Sequence, residues 1–181
     1  MKQPCIVIIS GAPGSGKSSV ACALSENSAY EHTILLRIDD FFSYIRKGYI
    51  EPWLPDSHEQ NIALAHTLAA TAKSLAAYSY GVFVDGVIGP WLLDPWMRAA
   101  HAGINVHYLI LRPSLEETIS RGVNRTGAKD LVDPNVIKKM WEEFSDLGLY
   151  EPYVVDTTGQ NVTESVAFIR SRIDKGCYRL L

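Results

Sequence analysis

Eight residues near the N-terminus constrain the fold more than any other segment of the chain. They span 11–18 and read Gly-Ala-Pro-Gly-Ser-Gly-Lys-Ser, which matches the pattern G-x-x-x-x-G-K-[ST] at every fixed position. The apolar run Cys-Ile-Val-Ile-Ile at 5–9 precedes them, and a helix-like segment at 17–26 follows. A glycine-rich turn between a strand and a helix is the setting in which this pattern forms a phosphate-binding loop.

Each part of this loop has a chemical task in a nucleotide site. The glycines let the backbone curl so that successive N–H groups form a nest for phosphate oxygens, and the helix N-terminus adds partial positive charge. Lys17 is placed to reach the β- and γ-phosphates, and the Ser18 hydroxyl is placed to ligate Mg²⁺. The alternative is a glycine-rich turn with an incidental lysine. The residues predicted to bind the nucleotide here are Gly11, Ala12, Pro13, Gly14, Ser15, Gly16, Lys17, Ser18 and Ser19.

The composition fits a soluble enzyme or binding module better than a nucleic-acid or membrane protein. The chain has 181 residues, of which 47% are apolar and 20% charged, so we expect a single domain over 1–181. A net charge of -3 gives no field that attracts nucleic acid, and no apolar run reaches transmembrane length. Three cysteines without C-x-x-C spacing favour a reducing cytoplasm. The sequence leaves the oligomeric state open.

Short apolar runs alternate with helix-like segments along the whole chain. Runs of this length and continuity are typical of strands buried on both faces of a parallel sheet. This alternation predicts an α/β fold, a doubly wound parallel sheet with ligands at the carboxyl ends of its strands. The predicted strands are 5–10, 33–38, 82–85, 105–111 and 153–156, and the predicted helices are 17–26, 58–78, 114–125, 134–146 and 162–175.

Acidic residues follow the second and third predicted strands. Asp39 and Asp40 come after the second, where a carboxylate can accept a proton from an attacking hydroxyl or hold Mg²⁺ through water. We favour Asp39 as the base because it directly continues the strand, and Asp40 as a helix cap or substrate contact. Asp85 ends the third strand, where it can support Mg²⁺, although strand–Asp–Gly is also an ordinary turn.

Two arginines and a polar stretch predict a lid at about 121–133. Arg121 and Arg125 are four residues apart and therefore share one helix face. Guanidinium groups there can neutralise charge on a transferring phosphoryl group when the lid closes. The alternative is a solvated helix face on which Arg121 pairs with Glu117.

Aromatic residues concentrate in two connecting segments, at about 41–57 and 86–98. Tyr49, Trp53, Trp91 and Trp96 can wall a pocket for a sugar or an aromatic acceptor, or can be core beneath two long connections. We also name Gly86, which follows the third strand, as a candidate substrate contact. Arg46 and Lys47 can meet an anionic acceptor or form a solvated basic turn.

The segment after the last predicted strand reads Asp-Thr-Thr-Gly at 156–159. A loop in this position passes the base of the nucleotide in a doubly wound fold, so Thr158 is a candidate nucleotide contact. A plain β–α turn is the alternative.

With these positions marked, the chain resembles the small P-loop kinases that phosphorylate metabolites and antibiotics. That group includes chloramphenicol phosphotransferase, gluconate kinase and shikimate kinase, with the zeta toxins as more distant relatives. The phosphate loop, the acid after the second strand, the arginine pair and the Asp-Thr-Thr-Gly turn occur in the group's order. The resemblance implies a three-layer, nucleoside-monophosphate-kinase-like fold with a parallel sheet of order 2-3-1-4-5. Asp39 matches the acid that serves as base in chloramphenicol phosphotransferase and its relatives.

Two departures separate the chain from shikimate kinase. That enzyme has Asp-x-Asp after the second strand, whereas the acids here are adjacent, and its glycine triplet after the third strand is replaced by Asp-Gly-Val at 85–87. The prediction is therefore an ATP- and Mg²⁺-dependent kinase whose acceptor is a small hydroxylated molecule. The alternatives are a nucleotide or nucleotide-sugar kinase of the zeta-toxin kind, and a regulatory module that hydrolyses ATP slowly.

Overall fold

A five-stranded parallel sheet forms the centre of the computed structural model, which describes residues 4–124 and 133–181. The strand order is β2-β3-β1-β4-β5, and every pairing is parallel, so the predicted fold class and order are confirmed. The strands are β1 Cys5–Ser10, β2 Thr33–Arg37, β3 Gly81–Asp85, β4 Asn105–Leu111 and β5 Val154–Val155.

Helices cover both faces of this sheet. Side chains alternate along β1, so that Ile6 and Ile8 enter one core while Val7 and Ile9 enter the other. Because both faces are covered, every residue of β1 is buried. The helices are α1 Lys17–Glu26, α2 Ile38–Ser43, α3 His58–Ala77, α4 Asp94–His101, α5 Leu115–Val123, α6 Pro134–Glu143 and α7 Val162–Asp174.

Each core joins one face of the sheet to its own set of helices. The first contains buried residues of α3, α4 and α6, with Leu68, Trp96 and Met140 among them. The second contains buried residues of α1 and α7, including Leu24 and Ile169. Helix–sheet–helix is therefore the layer order, as the resemblance implied. None of the helices in the described parts of the chain combines the length and apolarity needed to span a bilayer.

Two elements differ from the sequence-based prediction near the second and third strands. Strand β2 ends at Arg37, and Ile38 already begins α2, so Asp39 lies in the first turn of a helix instead of continuing the strand. The helix α4 was not predicted. Its Pro95 fits a first helical turn, where the missing N–H has no intrahelical partner to lose.

The predicted helix starts are mostly confirmed by their caps. Ser114 Oγ accepts a hydrogen bond from Glu117 N, Asp133 caps α6, and Asn161 forms a reciprocal capping box with Glu164. Ser114 and Glu117 form only half of a capping box at the start of α5, because the Glu117 carboxylate instead bonds Arg121 and Gly159 N. The bond between Gly159 N and the Glu117 carboxylate joins α5 to the turn after β5.

Candidate active site

The phosphate-binding loop leaves the carboxyl end of β1 in a conformation that requires glycine. Gly11, Gly14 and Gly16 have φ values of 140°, 85° and 88°. A Cβ at Gly11 would collide with the carbonyl oxygen of Leu111, and one at Gly14 with that of Thr118. The loop therefore packs directly against the end of β4 and against α5, an approach that only glycine allows at these two positions.

Lys17 is the first residue of α1 and is 7% exposed. Its ammonium Nζ lies 3.4 Å from the carbonyl oxygen of Ala12 at the start of the loop. Two cavities open on either side of it, and Lys17 lines both. We call the cavity that extends to the start of α7 the donor cavity. We call the cavity that contains Pro13, Trp53 and Trp91 the acceptor cavity.

The donor cavity has a volume of about 690 Å³ and runs from the phosphate loop to the start of α7. Arg37 and Arg121 supply positive charge on its wall. Backbone N–H groups at a helix start and two guanidinium groups are the chemistry that holds a polyphosphate. The remaining lining residues include Gly14, Ser15, Gly16, Ser18, Ser19, Cys22, Thr157, Gln160, Asn161 and Ser165.

Asp85 ends β3 beside the loop and is 4% exposed. Its Oδ1 has no hydrogen-bond partner among the described residues, and its Oδ2 lies 3.7 Å from Arg37 Nε. Burial raises the pKa of the Asp85 carboxyl, Lys17 and the Ser18 hydroxyl oppose that rise, and the nearby charge of Asp39 adds to it. A buried carboxylate with an unsatisfied oxygen beside a hydroxyl fits a divalent cation.

Ser18 and Asp85 are therefore the residues that fit Mg²⁺. Residues 4–124 and 133–181 contain no group of three or more His, Cys, Asp or Glu that could hold a metal. Mg²⁺ commonly keeps several waters and takes its other ligands from substrate phosphates, so one carboxylate and one hydroxyl are enough protein ligands for it.

The two aspartates of α2 have different surroundings. Asp39 lines the acceptor cavity, whereas Asp40 lines neither cavity. The N-cap of α2 is Arg37, so the interpretation of Asp40 as a helix cap is wrong. The backbone carbonyl of Asp40 accepts a hydrogen bond from Ser43 Oγ.

Arg121 is anchored on the far side of the donor cavity. Its guanidinium donates to the Glu117 carboxylate, as the alternative interpretation expected, and to the carbonyl oxygen of Gln160 at 3.0 Å. It also stands close to the phosphate loop, with Nη1 3.6 Å from the position that a Cβ of Gly16 would occupy. Arg125 and most of the predicted lid lie outside the described residues.

The turn after β5 places Thr157 and Thr158 differently. Thr157 is buried and lines the donor cavity. Thr158 instead bonds Asp156 through its hydroxyl and backbone N–H, and its Oγ1 accepts from Ser114 N at 2.8 Å. These bonds lower the pKa of the Asp156 carboxyl. Thr158 therefore joins the turn to the start of α5.

The acceptor cavity has a volume of about 970 Å³ and is walled mainly by the two aromatic segments. Tyr49, Trp53 and Trp91 all line it. Gly86 does not. A Cβ there would lie 2.6 Å from Ile38 Cγ2, so its role is close packing beneath α2. Trp96 is fully buried, so of the two alternatives that the sequence left open it belongs to the core and not to the cavity wall.

Sequence reasoning missed the contribution of the helices α3 and α6 to this cavity. His58 and Asn61 come from the start of α3, and Met140 and Glu143 come from the end of α6. Arg112 holds the end of α6 in place, because its Nη1 donates to the carbonyl of Phe144 at 2.8 Å while it pairs with Glu151. No local signal marks these residues, because only long-range packing brings them to the cavity.

This fold and this loop define a three-layer α/β domain with a phosphate-binding loop at the end of its first strand. Residues 6–147 match the AAA_33 family, described as an AAA domain, and the chain belongs to that family. No curated protein matches it in sequence.

Solved structures share the fold over nearly the whole chain at low identity. The Deinococcus radiodurans tunicamycin resistance protein is 16% identical with a TM-score of 0.68, and the match covers 94% of this chain and 95% of that one. A gluconokinase from Sinorhizobium meliloti 1021 is 20% identical with a TM-score of 0.65, covering 98% and 95%. A sugar kinase from Janibacter sp. HTCC2649 is 17% identical with a TM-score of 0.68, covering 94% and 95%.

Proposed function

We propose that this protein is an ATP- and Mg²⁺-dependent kinase that transfers the γ-phosphoryl group to a hydroxyl of a small molecule. The observation that carries this proposal is the position of Lys17, which lines both cavities. A transferring phosphoryl group must pass between a donor and an acceptor, and Lys17 stands where the two sites meet. A module that only binds nucleotide has no need of the second cavity.

On the donor side, the loop N–H groups and Lys17 hold the β- and γ-phosphates, while Arg121 faces the phosphates from α5. Ser18 and Asp85 would hold Mg²⁺, which would neutralise part of the negative charge of the nucleotide phosphates. Arg125 follows Arg121 by one helical turn and is proposed for the same task. Thr158 is proposed to act near the base of the nucleotide, by holding the turn after β5 in place.

On the acceptor side, Asp39 is the proposed general base. Asp39 lines the acceptor cavity together with Lys17, and its charge acts on Asp85 at the proposed metal site. As the acceptor oxygen attacks the γ-phosphorus, the bond to the bridging oxygen breaks, ADP leaves, and the hydroxyl proton passes to Asp39. Tyr49, Trp53 and Trp91 would position the body of the acceptor. Asp40 and Gly86 do not line the cavity and are proposed only to support it.

The comparisons support the small-molecule part of this proposal. The neighbouring structures include proteins named gluconokinase and sugar kinase, and they match this chain over nearly its full length. At 16–20% identity these names do not choose an acceptor.

The experiment is an ADP-release screen with MgATP over hydroxylated metabolites, nucleosides, and phenicol and aminoglycoside antibiotics. The proposal expects ADP release to rise with at least one small alcohol and to disappear in Lys17→Ala. ADP release that no acceptor stimulates, but that a captured protein partner changes, would contradict it and favour the regulatory module.

A further inference from the structure

The acceptor cavity has an apolar, aromatic interior. Its wall includes Phe42, Tyr49, Trp53, Trp91 and Met140. Trp91 is 49% exposed, and its ring is tilted by 54° against that of Phe144 with 5.4 Å between the centroids, so part of the indole remains accessible from the cavity. Surfaces of this kind bind the flat or alicyclic body of a largely apolar molecule.

Positive charge is scarce on this wall. Among the described lining residues Lys17 is the only lysine or arginine, and in the proposed function the nucleotide phosphates occupy it. Arg46 and Lys47, which the sequence offered as partners for an anionic acceptor, are exposed and do not line the cavity. Apart from His58, the described wall therefore offers an anionic acceptor no basic side chain of its own.

Negative charge, in contrast, enters the cavity from three separate elements. Asp39 comes from α2, Glu51 from the segment before α3, and Glu143 from the last turn of α6. Glu51 accepts a hydrogen bond from Tyr49 Oη at 2.9 Å. Glu143 is exposed to solvent. Partial burial nevertheless raises the pKa of its carboxyl, and the positive charge of Lys139 opposes part of that rise. A negatively charged acceptor beside Glu143 would be repelled by its carboxylate, and the described wall has few basic groups to offset that repulsion.

We propose that the acceptor is a bulky, largely apolar alcohol without negative charge, and that Glu143 is a specificity-determining residue that excludes anionic alcohols. This inference rests on the proposed function, since it names the substrate class of the same site. It excludes sugar acids and phosphorylated sugars, and it admits neutral and cationic aromatic or alicyclic alcohols.

The test uses three biphenylmethanols that differ only at the far ring, which carries a carboxamide, an aminomethyl group or a carboxylate. Binding of each is measured by calorimetry in the presence of Mg²⁺ and a non-hydrolysable ATP analogue, and phosphoryl transfer is measured separately with ATP. We expect the carboxylate to bind at least about tenfold more weakly than the carboxamide, and the aminomethyl compound to bind at least as well as the carboxamide.

Two neighbouring glutamates of α6 provide the matched variants. Glu143→Gln should improve carboxylate binding roughly tenfold and leave carboxamide binding unchanged, because it removes one charge without changing shape. Glu142→Gln is the control, since Glu142 does not line the cavity and lies 3.9 Å from Lys138. It should change none of the three affinities.

The outcomes separate this inference from the proposed function. Equal or tighter binding of the carboxylate by the native protein overturns the inference, as does no binding of any probe or an equal response to both glutamine variants. The expected binding order without transfer to any probe supports the charge selection but counts against the kinase proposal.

Discussion

The donor cavity and the acceptor cavity are built in different ways. The donor cavity is formed mainly by the phosphate loop and α1, with Arg121 and the turn after β5 completing its wall. The acceptor cavity is assembled from the residues around α2, the start of α3, the segment after β3 and the end of α6. Local backbone geometry therefore fixes the donor chemistry, whereas long-range packing determines the shape and charge of the acceptor site. Substitutions in the two cavities should consequently have different effects on turnover, on acceptor binding and on stability.

Lys17 belongs to both cavities, so its removal should have the largest effect. We expect Lys17→Ala to lower turnover by at least about a thousandfold, because it removes charge stabilisation of the transferring group in a buried position. Steady-state ADP release measures this. Lys73→Ala on the exposed face of α3 is the control and should retain native turnover. A Lys17→Ala protein that folds and turns over within tenfold of native would break the account.

Substitution of Asp39 and of Asp40 tests which of the two aspartates is the general base on the acceptor side. Asp39→Asn should lower kcat by roughly a hundred- to a thousandfold, because it removes the proton acceptor, while the affinity for ATP should change little. Asp40→Asn should change kcat by no more than a few-fold, since Asp40 lines neither cavity. Rapid-quench turnover and ATP titration measure both quantities. The opposite ranking would assign the base to Asp40.

Asp85 tests the metal site and separates stability from activity. Asp85→Asn should lower turnover by roughly ten- to a hundredfold and weaken Mg²⁺ dependence. Because burial raises the pKa of Asp85 in the folded state, its charged form costs stability above that pKa and the cost fades as the pH falls through it. The variant without nucleotide should therefore unfold at the native temperature or higher at neutral pH.

Thermal unfolding with and without MgATP checks this prediction. The stability difference between the variant and native protein should shrink as the pH falls and Asp85 becomes protonated. A large drop in unfolding temperature at neutral pH would mean that Arg37 and Ser18 stabilise the ionised carboxylate more than burial disfavours it.

Trp91 and Trp96 provide the smallest expected effect on turnover and the clearest internal contrast. Trp91→Ala should raise the KM of an aromatic acceptor about tenfold and cost only about 1 kcal/mol of unfolding free energy, because Trp91 is half exposed. Trp96→Ala should cost about 3–5 kcal/mol, because its side chain is fully buried. Denaturant unfolding and acceptor titration measure these changes. Equal stability losses would contradict the assignment of Trp91 to the cavity wall.

The same difference explains how much could be predicted from the sequence. The loop, the helix α1 and the parallel α/β fold follow from a local motif and from apolar periodicity, the sheet order follows from the family resemblance, and these predictions are confirmed. Asp85 was predicted to end its strand, and it does so. Asp39 was predicted to continue a strand but lies in a helix, because backbone conformation at a strand end depends on the packing of Ile38 beneath it.

The acceptor wall could not be predicted in the same way. Trp53, Trp91 and Trp96 lie in two connecting segments with similar sequence surroundings, yet Trp96 is core and the other two line the cavity. On α6, Trp141 Nε1 donates to the carbonyl of Pro113 and Arg112 Nη1 donates to that of Phe144, and these contacts help to position Glu143 at the cavity. Such contacts join residues about thirty positions apart and leave no local signature.

The most direct test of the central claim follows the γ-phosphate itself. ATP radiolabelled at the γ-position is incubated with the protein, Mg²⁺ and the neutral carboxamide biphenylmethanol, and the products are separated by chromatography. We expect the label in a phosphorylated alcohol, and we expect that product to be lost in both Lys17→Ala and Asp39→Asn. Label that stays in ATP or appears only in inorganic phosphate, with this probe and with every alcohol of the screening panel, would contradict it.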